Sequence, residues 1–227
     1  MTAYRHPQIK VCGLTQPDEA RAVTDLGVDA IGLVFYPKSP RNVNLKQALA
    51  IAAALPSHVP AVGVVVHPTL ERLIRIIGQC GLKTVQLHGA EPPQFAAELQ
   101  AATGIRIVKA LFTSRPPGLA DARRYAVDGY LVECGQGQLP GGNAMTWDWS
   151  LTQGFARNHP MALAGGLDAD NVATAIGACL PDAVDASSGL EARPGHKDLQ
   201  KVARFVEQVR RTRDMYAARK RTVEPIF

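Results

Sequence analysis

The chain has 227 residues, 46% of them hydrophobic and 20% charged. That balance fits a globular protein with a sizeable core and excludes a low-complexity or disordered chain. The net charge of +5 owes much to the run RRTRDMYAARKRT at 210–222, and a nucleic-acid face would instead need basic residues spread over a surface with aromatics between them, so no nucleic-acid partner is expected.

Short β-branched runs alternate with longer amphipathic segments along the whole sequence. The first predicted strand is Ile9–Cys12, ending on a cysteine and a glycine turn (IKVCGLT), and Pro17–Leu26 reads as the helix after it. Strands at Ala30–Phe35, Ala61–Val66, Thr84–Leu87 and Arg106–Ala110 alternate with helices at Leu45–Leu55, Thr69–Cys80 and Pro92–Thr103. A further helix is predicted at Gly118–Ala126, then a strand at Gly129–Glu133. The next link is longer, with the Gly-rich loop CGQGQLPGGNA and a short segment around Trp147–Leu151. Strands at Met161–Ala164 and Ala183–Ala186, with helices at Ala169–Cys179 and Asp198–Arg213, complete the pattern. Thr15 and Gln16 before Pro17, and Pro68-Thr69 before Glu71, are helix-start signals.

Strand and helix repeated at this spacing require parallel strands with right-handed crossovers. Eight such units match a closed (β/α)₈ TIM barrel, an α/β fold, better than an open sheet. The open alternative in its dinucleotide form would place GxGxxG after the first strand, and CGLTQP is not that motif. No linker-like stretch interrupts the pattern, so residues 1–227 read as a single domain, with a basic tail from about residue 214. The tail reads as a solvated, partly frayed helix end, and the mild positive balance favours an anionic substrate.

No apolar run approaches the length of a membrane span, and MTAYRHPQIK lacks the apolar stretch of a signal peptide. A cytoplasmic protein without a membrane partner is the expectation. The four cysteines, Cys12, Cys80, Cys134 and Cys179, form no CxxC pair, which points to reduced thiols rather than zinc or disulfides.

Alternation along barrel strands separates an inward set from a helix-facing set. Lys10 and Cys12 share a side, as do Gln86 and His88, Leu131 and Glu133, and Ala183 and Asp185. The opposed residues are largely apolar. Buried unpaired, each polar group would cost roughly 1–3 kcal/mol. They should therefore pair with one another or gather where substrate reaches them. Cys12, His88, Glu133 and Asp185 all fall at or near C-terminal strand ends, where barrel enzymes build their active sites. Each alone has a plain structural explanation, since free cysteine is often buried and interior polar residues often only satisfy one another. Their convergence is what points to chemistry.

Two glycine-bearing turns follow the last two strands: Gly165-Gly166 after one, Ser187-Ser188-Gly189 after the other. Glycine admits an anion close to backbone amides and serine adds hydroxyls, at the place where barrels commonly hold a phosphate. A sugar phosphate is the expected small-molecule substrate.

The segments IKVCGLT, FYPKSPRNV (35–43), VQLHGAE (85–91), ALAGGLDADNV (162–172) and DASSGLEARPGHKD (185–198) resemble, in order, the motifs of the phosphoribosylanthranilate isomerase family. The resemblance runs from Lys10 to about Val209. It implies a (β/α)₈ barrel of tryptophan biosynthesis that performs an Amadori rearrangement without cofactor or metal. It further implies Cys12 as general base, Glu133 as general acid, Arg41 against the anthranilate carboxylate, and phosphate binding at Gly165, Gly166, Ser187, Ser188 and Gly189. His88 and Asp185 are expected to touch substrate.

Two positions depart from the family pattern. The acid is Glu where the family usually has Asp, and the loop commonly GGTG reads Gly141-Gly142-Asn143-Ala144. The acid must begin protonated, which calls for burial or a nearby carboxylate such as Asp185. Lys10 is placed either to support the thiolate or to sit in a buried ion pair. Three other readings stand beside this one: a metal-dependent sugar-phosphate epimerase using His67, His88 and Asp185, a non-catalytic phosphate-binding barrel, and an isomerase that also accepts the related aminoaldose of histidine biosynthesis. The last is disfavoured because a carboxylate base would be expected where Cys12 stands. Monomer and homodimer are both compatible with the sequence.

Overall fold

A computed structural model, which describes residues 6–136, 146–219 and 221–227, shows a closed eight-stranded parallel barrel. The strands are β1 (Gln8–Cys12), β2 (Ala30–Phe35), β3 (Ala61–Val65), β4 (Thr84–Leu87), β5 (Arg106–Phe112), β6 (Gly129–Glu133), β7 (Met161–Ala164) and β8 (Ala183–Ala186). Each pairs with the next in sequence, and β1 closes the ring against β8 with Lys10 opposite Asp185. The sequence thus yields a TIM barrel.

Around it lie α1 (Pro17–Asp25), α2 (Leu45–Ala54), α3 (Leu70–Cys80), α4 (Pro93–Thr103), α5 (Gln153–Asn158), α6 (Val172–Cys179), α7 (Leu199–Arg211) and α8 (Arg213–Ala218). Local chemistry explains several ends. Asn44 and Gln47 form a reciprocal capping box on α2, and the Thr69 hydroxyl accepts from Arg72 N on α3. Asp198 accepts from the amides of Gln200 and Lys201 at the start of α7. Ile9 and Val11, fully buried, meet the helical layer, whereas Lys10 and Cys12 point inward.

Four expectations need correction. Gly118–Ala126 is not an α-helix but a 3₁₀ turn at Leu119–Arg124, held by Asp121 accepting from the Gly118 amide. Residues 169–171 lie outside α6, because the Asp168 carboxylate captures the amides of Asp170 and Asn171 in a turn. The segment near Trp147 continues through a 3₁₀ turn at Trp149–Thr152 into α5, a helix the sequence pattern hid behind Gly154.

The fourth concerns the basic tail, which is not a frayed end. Tyr216, Val223 and Ile226 are buried, and Ile226 joins Val108, Ala110, Leu131, Ala162 and Ala183 in a cluster flooring the barrel. Its amide donates to Gln8 Oε1 at 2.6 Å, Arg106 donates to Pro225 O, and Arg221 grips both oxygens of Asp182. Gln8, Arg106 and Asp182 all lie at the N-terminal strand ends, so the tail closes the end opposite the polar cluster. Apolar positions spaced among charges, not the charges themselves, decide its place.

Candidate active site

At the C-terminal end of the barrel, Cys12 from β1, Glu133 from β6, Asp185 from β8 and His88 just beyond β4 line one cavity. Arg41, Gly165, Gly166, Ser187 and Ser188 line it too. Of the residues singled out in the sequence, Gly189 stands apart. It is not among the residues lining the cavity, and an added Cβ there would come within 2.2 Å of Leu167 O, so its missing side chain lets two loops approach.

The thiol is 9% exposed, and the facing residue of β2 is Gly32. A side chain there would strike Cys12 Sγ at 2.6 Å, so the missing Cβ makes the thiol's room. Burial pushes the Cys12 thiol up from its ordinary value, while Lys10, Lys197 and Arg41 pull it down less strongly. Lys10 proves to be in a buried ion pair, its Nζ 2.8 Å from Asp185 Oδ2. Burial lowers the Lys10 ammonium, but the Asp185 and Cys12 charges outweigh it and hold Lys10 above its usual range. Burial holds the Asp185 carboxyl above its usual range, against the pull of Lys10 2.8 Å away. Asp185 Oδ1 has no hydrogen-bond partner among the described residues, and its residue lines the cavity. It is an acceptor waiting for a donor.

Glu133 is 5% exposed, and its Oε1 lies 3.4 Å from His88 Nε2. His88 in turn has Nδ1 2.8 Å from Gln86 Nε2, and its ring meets Phe112 edge-on at 5.9 Å. The loop that departs from the family pattern, Gly141 to Ala144, lies outside the described residues.

Arg41 is reached from the strand β2 side and donates through Nε and Nη2 to both oxygens of Glu191, at 2.8 and 2.7 Å. Lys197 donates to the same carboxylate at 2.9 Å and to Ser187 O at 3.1 Å. Glu191 and Lys197 belong to a small hairpin, β9 (Glu191–Arg193) and β10 (His196–Lys197), that the sequence pattern did not announce. The visible signal was a glutamate and lysine flanking a Pro-Gly turn. Beside Arg41 the wall is apolar: Val34 and Val64 pack with Cys12, and Tyr36 leans on them.

Across the cavity, Gly165 (φ +91°) and Gly166 (φ +68°) turn the chain back over the end of β7. Asn171 locks that turn, donating to Gly166 O and accepting from Asp168 N. The Ser187 hydroxyl donates to Cys12 O at 2.9 Å, so its proton is already committed to the strand that carries the thiol. Ser188 supplies the hydroxyl of that turn for which no protein acceptor is described.

The metal reading needs three ligands, and they do not meet. His67 is held at the β3 end by its amide on Glu91 and is not part of the cavity wall that carries His88 and Asp185. Among the described residues no three His, Cys, Asp or Glu side chains gather as a metal site.

The family model of N-(5'-phosphoribosyl)anthranilate (PRA) isomerase matches residues 9–208. The chain is 47% identical over 213 residues to the N-(5'-phosphoribosyl)anthranilate isomerase of Desulfatibacillum aliphaticivorans, covering 94% of this chain and 97% of that one. It is similar to the crystal structure of phosphoribosyl anthranilate isomerase from Thermotoga maritima at a TM-score of 0.81 and 34% identity, over 90% of this chain and 98% of that one. A further structure, of this isomerase in complex with reduced 1-(o-carboxyphenylamino)-1-deoxyribulose 5-phosphate, matches at a TM-score of 0.78 and 33% identity, with 90% and 98% covered.

Proposed function

This chain belongs to the N-(5'-phosphoribosyl)anthranilate isomerase family, and from that premise we propose which of its groups carry the reaction. The activity is the Amadori rearrangement of N-(5-phosphoribosyl)anthranilate to 1-(2-carboxyphenylamino)-1-deoxyribulose 5-phosphate in tryptophan biosynthesis. The observation that carries the assignment of roles is the shared cavity of Cys12 and Glu133, contributed by strands far apart around the ring.

Glu133, protonated, donates to the furanose ring oxygen, and the C1–O bond opens to an iminium. The cation acidifies the hydrogen on C2, and Cys12 as thiolate removes it to give an enolamine. A proton then returns at C1 as the C2 hydroxyl becomes a ketone. C1 is reduced by as much as C2 is oxidised, so no external electron carrier enters the balance. A positioned acid and a positioned base each contribute about 10²–10⁴-fold. The buried thiol is mostly protonated in the free enzyme, and the iminium beside it favours the thiolate just when the base is needed.

The ligand's two ends match the two sides of the cavity. The phosphate rests at Gly165, Gly166 and Ser188, with Ser187 tying that turn to β1. The anthranilate ring lies on Val34, Val64 and Tyr36, with its carboxylate toward Arg41. Asp185 Oδ1 accepts from a sugar hydroxyl. The relative solved with the reduced product carries a ligand of this shape. Residues 1–227 act as one domain, in the cytoplasm, as a monomer or homodimer; the Thermotoga maritima protein has been solved as monomers generated from its dimer.

Cys12→Ser and Glu133→Gln, assayed by loss of substrate fluorescence, test the roles. Each should lose at least about a hundredfold in kcat. Near-wild-type turnover in either would remove that residue from the mechanism.

A further inference from the structure

We propose that Gln86 is a positioning residue for the acid step, holding His88 in the tautomer whose proton sits on Nε2 and faces Glu133. The inference rests on the reading of Glu133 as the acid.

Gln86 lies in the barrel interior at 1% exposure, with its Nε2 2.8 Å from His88 Nδ1. Among the described residues this is the only hydrogen bond of its side chain, since Oε1 is buried without a partner. A glutamine kept in that state makes its one contact count. An amide N–H can bond only to a ring nitrogen with a free lone pair, so Nδ1 is the acceptor and the neutral ring carries hydrogen on Nε2. The edge-on contact with Phe112 fixes the ring plane, and Nε2 stands 3.4 Å from Glu133 Oε1.

The consequence falls on the carboxyl group. Oε1 makes no hydrogen bond among the described residues, but an N–H directed at it from 3.4 Å sets the positive end of a dipole against that oxygen, so the acid's own hydrogen resides on Oε2, free to pass to the ring oxygen. The opposite tautomer would present a lone pair to Glu133 and compete with substrate for the same proton. Gln86 thus decides, through His88, which oxygen of Glu133 delivers.

Two-bond ¹H–¹⁵N correlation spectra of the full chain, labelled at histidine, read the tautomer directly, and loss of a signal in His88→Asn assigns it. The wild type should show the proton on Nε2. Gln86→Glu places an acceptor at Nδ1 and should move hydrogen onto that nitrogen, with kcat lower by about tenfold or more, part of the 10²–10⁴ of a positioned acid, and KM within about twofold. Gln86→Met, similar in shape but without a donor, should give mixed tautomers and a smaller loss, which keeps the test valid if the glutamate variant does not fold. A wild-type proton on Nδ1, or a reversed tautomer in Gln86→Glu with unchanged kcat, overturns the inference. An active Glu133→Gln overturns the acid reading instead, and the spectra separate the two failures.

Discussion

The Arg41 guanidinium and the Glu191 carboxylate meet edge to edge, with both side chains buried and two parallel bonds of 2.7 and 2.8 Å between them. Two of the arginine's nitrogens are thereby spent on the protein, and among the described residues Nη1 makes no side-chain bond, which leaves that edge for the proposed ligand carboxylate. The pair therefore fixes where a carboxylate can dock. Such bidentate geometry is rigid as well as strong.

Replacing Glu191 by Gln should destabilise the fold by about 3–5 kcal/mol at pH 7, because Arg41 and Lys197 lose their shared buried counter-charge. Burial pushes the Glu191 carboxyl up, but Arg41 and Lys197 outweigh it and hold it below its usual 4.5. A lowered folded value contributes stability above pH 4.5 that is lost as pH falls through the folded value. The gap between wild type and variant in urea unfolding should consequently narrow in acid. A gap of the same size at all pH values would refute the charge account.

The thiol sets the alkaline behaviour. Since burial raises Cys12 above its ordinary 9.0, fewer than about one molecule in a hundred is thiolate at pH 7 before substrate binds. Because Glu133 must also stay protonated for turnover, the thiol is read alone by the rate of Cys12 alkylation against pH, which should still be rising at pH 9. A plateau reached near neutrality would show that the cations nearby win over burial.

In the proposed phosphate cradle the two serines should behave unlike each other. Ser188→Ala should raise KM by about tenfold, the loss of one hydrogen bond to a charged group. Ser187→Ala breaks the tie to Cys12 O, and its main effect should fall on kcat through a displaced β1. Steady-state kinetics of both variants, with KM rising equally in the two, would sink the distinction.

Ile226 sits fully buried at the far end of the barrel from the cavity. Ile226→Ala should cost about 2–5 kcal/mol in thermal or urea unfolding while leaving kcat and KM of the folded enzyme unchanged. Unaltered stability would return the tail to the solvated state that its charges suggest.

Period alone carried most of the architecture. Alternation of β-branched runs with amphipathic segments is imposed by the barrel's two-sided burial, so eight strands could be placed within a residue or two. The polar residues on the inward faces, Cys12, His88, Glu133 and Asp185, were legible for the same reason: a polar side chain inside a strand has to be satisfied or used. The glycine turns after β7 and β8 announced themselves by residue type.

What the linear pattern could not supply was every relationship that depends on partners distant in the chain. Whether Lys10 serves the thiol or Asp185 is decided by the closing register of β1 on β8, and Lys10 opposite Asp185 is a distance across 175 residues. The direction of the thiol's shift follows from burial, and burial exists only once the barrel has closed. The spent hydroxyl of Ser187, the clasp of Glu191 on Arg41, and the Gln86–His88 bond are likewise matters of angle and approach. The tail misled for a related reason, because its many charges are local while the three or four apolar contacts that dock it belong to strands elsewhere. Composition and period are set residue by residue; hydrogen-bond direction and electrostatic balance are set by neighbours in space, and only the folded chain chooses those.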